Sequence, residues 1–200
     1  MTDKMCLLAR RAEEICRQDK TMSWFLEAHI FKVLQNAEWL CEKFPEADKN
    51  MVRALVWLHD IIYFTDISKI DAHAGLGAVK AREMAAEIGI DDLKAGVVFE
   101  AIACHSCKGD KLPTTLEGKI LATADAMAHF SPDFYLSLLI DGKQEKQTVA
   151  EFKKFALQKL ERDFNGKKIF FEFAREKIRE PYEACLLYTS PSPRDGATSR

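Results

Sequence analysis

Apolar residues recur along the chain at helical spacing, in blocks separated by proline, glycine and capping residues. No stretch alternates apolar and polar residues between hairpin turns, so no sheet is required. The blocks predict eight helices. Thr2 caps the first, to about Arg17. The second, from about Met22 to Lys43, stops at Phe44-Pro45, because a residue before proline avoids helical geometry. Asp48 caps a third, whose apolar run Ala54 to Leu58 continues to Phe64. Asp71 caps a fourth, ending before Gly89, and Asp91 or Asp92 opens a fifth, to about Cys107. Capping boxes at Thr114/Glu117 and Thr148/Glu151 open the sixth and seventh, which close at Ser131-Pro132 and Asn165-Gly166. The eighth covers roughly Lys168 to Glu180 and ends at Pro181. The expected architecture is a single all-α domain with a C-terminal helical pair over 148–180.

Composition narrows the possibilities. Hydrophobic residues make up 48% of 200, enough for a packed core and too many for a disordered chain. Lys plus Arg is 29 against 31 Asp plus Glu, so the chain lacks the basic field of a general nucleic-acid binder. No apolar run approaches the ~20 residues that span a bilayer. Met1 to Arg11 carries charges on both sides of a short apolar run, which does not fit a secretory signal. Six cysteines without paired spacings then read as reduced thiols of a cytoplasmic protein. From Cys185 the texture turns Ser/Pro-rich, and CLLYTSPSPRD resembles a sequencing adapter translated in frame. Residues 185–200 are therefore expected to be a non-native tail without regular structure, and 1–184 the domain.

The chemistry sits in few residues. Only five histidines occur, and His29, His59, His73 and His105 fall at helix ends, helix starts or deeply apolar positions. Asp60 and Asp125 interrupt apolar stretches, where an unpaired carboxylate would cost several kcal/mol. A metal ion resolves that cost for both. Imidazole nitrogen and carboxylate oxygen together suit Fe, Mn, Co, Ni or Zn.

The segments ALVWLHD, HAGLGAVKAREMAAEIGIDD, AIACHS and KILATADA, in that order, carry a resemblance. Together they resemble the HD-domain superfamily of metal-dependent phosphohydrolases, with the pattern H…HD…H…H…D over His29, His59-Asp60, His73, His105 and Asp125. The resemblance implies an HD-type helical bundle with its ligand core over 22–130. It implies two divalent transition-metal ions. His29, His59, Asp60 and Asp125 would hold one, and Asp60 would bridge to a second held by His73 and His105. A hydroxide between the ions would attack phosphorus in a small, nucleotide-like phosphorylated substrate, with Asp60 sharing general-base work. The same ligand set also occurs in HD-fold di-iron oxygenases, and regulatory HD modules bind a nucleotide or partner without catalysis.

One family feature is missing. Many HD proteins carry Lys or Glu three residues after the HD aspartate, where this chain has Tyr63. Tyrosine can hydrogen-bond or stack but supplies no cation, so phosphate-binding charge is expected from Lys108 and Lys111, just after His105. His129 lies one turn beyond Asp125 and reads as a partly exposed surface histidine. The Cys104/Cys107 pair lacks a partner pair at zinc-finger spacing and reads as packing.

Overall fold

The computed structural model describes residues 3–141 and 148–189, and all its regular structure is helical. Helix α1 (Lys4–Gln18) is capped by Asp3, which accepts from the Met5 amide; Thr2 lies outside the described residues. Next, α2 (Ser23–Phe25), a π-helical turn (Leu26–Ile30) and α3 (Phe31–Lys43) follow one another and end at Phe44. Asp48 caps α4 (Lys49–Leu58) as expected, accepting from the Asn50 and Met51 amides.

The expected third helix is broken. After α4 the backbone leaves helical geometry at Asp60 (φ −117°, ψ 25°), and α5 (Ile61–Thr65) starts afresh. A 3₁₀ turn (Ile67–Ala72) follows, so Asp71 is exposed inside that turn and caps nothing. Helix α6 (His73–Glu87) begins on His73 itself and stops just before Gly89, whose φ of +69° is the left-handed geometry glycine accepts freely. Asp91 caps α7 (Asp92–Cys104).

Three further expectations are corrected. Thr115, not Thr114, caps α8 (Leu116–Ala128); Glu117 instead accepts from the Asp48 amide, tying α8 to the start of α4. The stretch after Ser131-Pro132 forms α9 (Pro132–Ile140), with proline at its first turn, where the missing N–H costs nothing. The last helix, α11 (Glu172–Thr189), starts later than expected and runs through Pro181. Beyond the proline, Tyr182 stacks on Phe164 at 4.1 Å, and Cys185 and Leu186 pack partly against the core, so tertiary packing carries the helix past its breaker. Residues 185–189 are thus helical, while 190–200 lie outside the described residues. The capping box of α10 (Val149–Asn165) forms as expected between Thr148 and Glu151.

Helix α4 is the axis of the molecule. Leu55, Val56, Trp57 and Leu58 are all essentially inaccessible, so its last turn is apolar all round and must be enclosed, while Lys49, Asn50 and Arg53 keep its first half at the surface. Helix α1 packs on it, α3 pairs with α8, and α6 pairs with α7. Each buried leucine or isoleucine in this cluster is worth ~1.5–3 kcal/mol relative to exposure. The close approach of α8 relies on Gly118, where a Cβ would lie 2.8 Å from Pro113 and 3.3 Å from Ala101. Packing α4 centrally has a functional consequence: its C-terminal end delivers His59 and Asp60 into the interior. The α10–α11 pair is fastened to this core by Phe171 on Phe44, Phe173 on Trp39, and a Phe170 N–H bond to the buried Thr123 hydroxyl of α8.

Candidate metal centre

Three histidines share one local device. His59 ends α4, His73 follows the 3₁₀ turn, and His105 ends α7. Carbonyls in a last helical turn lack their full intrahelical partners. The Nδ1 of each ring uses one: His59 to Val56 at 2.8 Å, His73 to Ile70 at 2.7 Å, His105 to Ile102 at 2.7 Å. A carbonyl only accepts, so Nδ1 carries the proton and donates. In a neutral ring Nε2 then holds a lone pair, the arrangement that outer hydrogen bonds impose on metal-binding histidines. His29 comes from the π-helical turn, a distortion frequent at functional sites.

All four rings turn toward Asp60, and its two oxygens divide them. Oδ2 lies 3.4 Å from His59 Nε2 and 3.6 Å from His29 Nε2; Oδ1 lies 3.5 Å from His73 Nε2 and 3.8 Å from His105 Nε2. The break after Leu58 permits this, since neighbours on an unbroken helix would point ~100° apart. Asp125 joins through His29, whose Nε2 is 3.4 Å from Asp125 Oδ1. Three triads, His29/His59/Asp60, Asp60/His73/His105 and His29/Asp125/His129, each bring three ligand atoms within 4.8 Å of one another. Atoms bonded at ~2.1 Å to one ion lie ~3–3.5 Å apart, so the spacing suits a shared metal.

Electrostatics makes the same point. Burial pushes the Asp60 carboxyl up, but His59, His105 and His73 outweigh it and hold the group well below the ordinary carboxylate range. Asp125 is likewise held low, by Lys168, His29 and His129 against burial. Burial, with His59 adding to it, takes His105 down to about 3, so its ring is neutral. The neutral His105 Nε2 and the ionised Asp60 carboxylate then face each other lone pair to lone pair, whereas at His59 burial is outweighed by Asp60 and the ring is held above the ordinary histidine range. His59 Nε2 and Asp60 Oδ1 have no hydrogen-bond partner although both are fully buried. Orphaned polar atoms of this kind are costly unless a cation completes them.

The cluster forms the floor of a cavity of about 710 Å³, a size suited to a small-molecule ligand. Trp24, Phe25, Tyr63 and Phe134 supply its aromatic walls. Tyr63 lies flat on Phe25 at 4.5 Å and edge-on to His73 at 5.7 Å, and burial pushes its hydroxyl up, so it stays a neutral donor. Lys108 stands on the cavity wall. Lys111 is exposed and does not line the cavity, because the Gly109 turn carries the chain away from it.

The chain beyond α8 adds Lys168 and Asp163, which the sequence pattern did not single out, and His129 is placed differently than expected. Lys168 is buried and pairs with Asp125 Oδ2. His129, expected near the surface, is 5% exposed: it stacks on His29 at 5.0 Å, and its Nδ1 lies 2.8 Å from Asp163 Oδ2. Asp163 was detectable. It occupies the buried stripe of α10 with Phe152, Ala156, Leu160 and Phe164, the same anomaly that marks Asp125. Lys168 sits in a loop and carries no such signal.

A helical bundle that closes on buried His/Asp triads able to hold a divalent cation defines a metal-binding class of protein. The model of the HD domain family matches residues 26–129, and the chain belongs to that family, whose members are generally metal-dependent phosphohydrolases. No curated protein and no solved structure matches the chain. Among the described residues, no helix is long and apolar enough to cross a membrane.

Proposed function

We propose that the chain hydrolyses a phosphate ester or anhydride of a small, nucleotide-like molecule at a two-ion centre. His29, His59, Asp60 and Asp125 would hold one divalent ion, and Asp60, His73 and His105 the second. One observation carries this reading: Asp60 turns each of its oxygens to a separate pair of imidazole Nε2 atoms, 3.4–3.8 Å away, and its buried Oδ1 has no hydrogen-bond partner. Such ions supply Lewis acidity, which activates water and neutralises phosphate charge.

The protein's own groups do the remaining work. Helix-end carbonyls fix the three rings before substrate arrives, so little reorganisation is needed. The low proton affinity of Asp60 suits it to holding cations more than to accepting a proton. Lys108 brings a charge to the cavity wall, and the Tyr63 hydroxyl can donate to a phosphate or ribose oxygen. The aromatic walls support a substrate with a stacking surface, hence the nucleotide-type assignment.

The test is metal analysis of protein purified without chelator, followed by a phosphate-release screen of nucleotides with Mn(II) under strictly anaerobic conditions. Release without oxygen is expected. Turnover that requires iron and dioxygen would replace this reading with an oxygenase. Protein that holds no metal and releases no phosphate would replace it with a regulatory module.

A further inference from the structure

The cavity wall built by α10 and the loop after it holds more fixed positive charge than it neutralises. Asp163, 1% exposed, is the one carboxylate on that wall. Around it stand Lys159 Nζ at 3.6 Å, Arg162 Nε at 3.2 Å and His129 Nδ1 at 2.8 Å. Two permanent cations and an imidazole therefore share a single anion. Lys168, on the same wall, spends its charge on Asp125. Burial pulls the Lys159 ammonium below its ordinary value, and Lys168 and Arg162 press it the same way against Asp163. Crowded, partly dehydrated cations lower their energy by taking an anion.

The position of this wall relative to the His/Asp cluster is fixed by one ring. His129 reaches Asp163 through Nδ1 and lies 3.6 Å from Asp125 Oδ1 through Nε2. Asp163 and Asp125 thus stand on opposite sides of one imidazole, and Lys159, Arg162 and Lys168 line the same cavity as the His/Asp cluster. We propose that Lys159 and Arg162, with Lys168 behind them, form an anion subsite for a second phosphoryl group that is not the one hydrolysed. The substrate then carries at least two linked phosphates. This deepens the phosphohydrolase reading and rests on it for the phosphate at the metal side.

Calorimetric titration of Mn(II)-loaded protein with pyrophosphate and with orthophosphate tests the subsite without needing turnover. Wild type should bind pyrophosphate at least about tenfold tighter than orthophosphate. Lys159→Met keeps the apolar stem and should bring that ratio to about one, whereas Lys159→Arg should keep most of it. Arg162→Gln changes a side chain that is 66% exposed and should lower the ratio roughly threefold even if the Lys159 variant fails to fold. A wild-type ratio near one overturns the subsite, as does a ratio that neither substitution lowers. The two readings fail separately. Hydrolysis of esters without any pyrophosphate preference removes the subsite alone. A preference lost in Lys159→Met, with no hydrolysis of any ester, upholds the subsite and removes the hydrolase.

Discussion

Two charged clusters face one cavity, the first buried and the second reaching from the buried Asp163 and Lys168 out to the exposed Arg162, and they are built with opposite deficits. The cluster on α4 to α8 has two carboxylates held low and two rings, His29 and His105, whose protonation burial opposes, so it is short of positive charge. The cluster on α10 and the following loop has Lys159, Arg162 and Lys168 against Asp163, so it lacks negative charge. Neither is self-sufficient, and burying either in that state costs several kcal/mol. Asp125 is where they meet: Oδ1 faces His29 and His129, and Oδ2 takes Lys168. The contrast teaches that the family-matched segment, 26–129, supplies the cation-seeking half, and the remainder of the chain completes the cavity with the anion-seeking half.

The largest expected effect comes from removing the hub of the first cluster. Asp60→Asn leaves a neutral amide facing four rings. Phosphate release should fall by about three orders of magnitude, or ~4 kcal/mol of barrier, with metal content lowered in parallel. Activity retained within tenfold would mean that the ions are held elsewhere. Acid challenges the same cluster more gently. In protein stripped with EDTA, His105 and His129 are depressed from 6.5 to about 3, so the unfolded chain binds more protons than the folded one between those values. Stability from these two rings is present above pH 6.5 and is lost as pH falls toward 3, at up to ~1.4 kcal/mol per unit each. His59 has the opposite sign: its folded value is raised, so its contribution is complete below 6.5 and adds no slope there. Thermal unfolding of the stripped protein should therefore drop by roughly 10–20 °C from pH 6.5 to 4.5. Asp60 and Asp125, both held low, add a loss only as pH falls below ~4. A flat profile over that range would mean the two rings are charged in the fold.

The two clusters also differ in how far the sequence discloses them. Asp60 and Asp125 are polar interruptions in apolar stretches, and the resemblance to the HD pattern is what groups them with His29, His59, His73 and His105. The burial of Leu55 to Leu58 places the end of α4, with His59 and Asp60, in the interior. The second cluster escapes because its members are ordinary residues in amphipathic surroundings. Lys159 and Asp163 look like an exposed i,i+4 pair, and only the packing of α10 on α11 and of α11 on α8 buries Asp163 and partly covers Lys159. Lys108 and Lys111 show the converse. Proximity in sequence to His105 suggests both, yet the turn at Gly109, φ +63°, keeps only Lys108 on the cavity wall. Helix ends follow the same division. The Thr148 box forms because both its residues are exposed and free, whereas the Thr114 box loses Glu117 to Asp48, a tertiary partner that local sequence cannot supply.

The smallest effect, and the one that probes the junction itself, is Lys168→Met. In stripped protein the ammonium is the strongest partner of Asp125, and removing it leaves a buried carboxylate facing two rings, His29 and His129, whose protonation burial opposes. Breaking one side of a buried pair costs ~3 kcal/mol, which for a chain of this size is roughly 6–12 °C of melting temperature. On the proposed ligand set an ion would engage the charge of Asp125 in metal-loaded protein, so Lys168 would have less to neutralise there and the loss should shrink to a few degrees. The comparison of interest is therefore the difference between the two losses, measured on the same variant with and without Mn(II). A large loss that metal reduces shows the two clusters share Asp125. Equal losses in both states would show that Lys168 matters for packing alone, that Asp125 belongs to the lysine rather than to the metal centre, and that the two halves of the cavity are electrostatically independent.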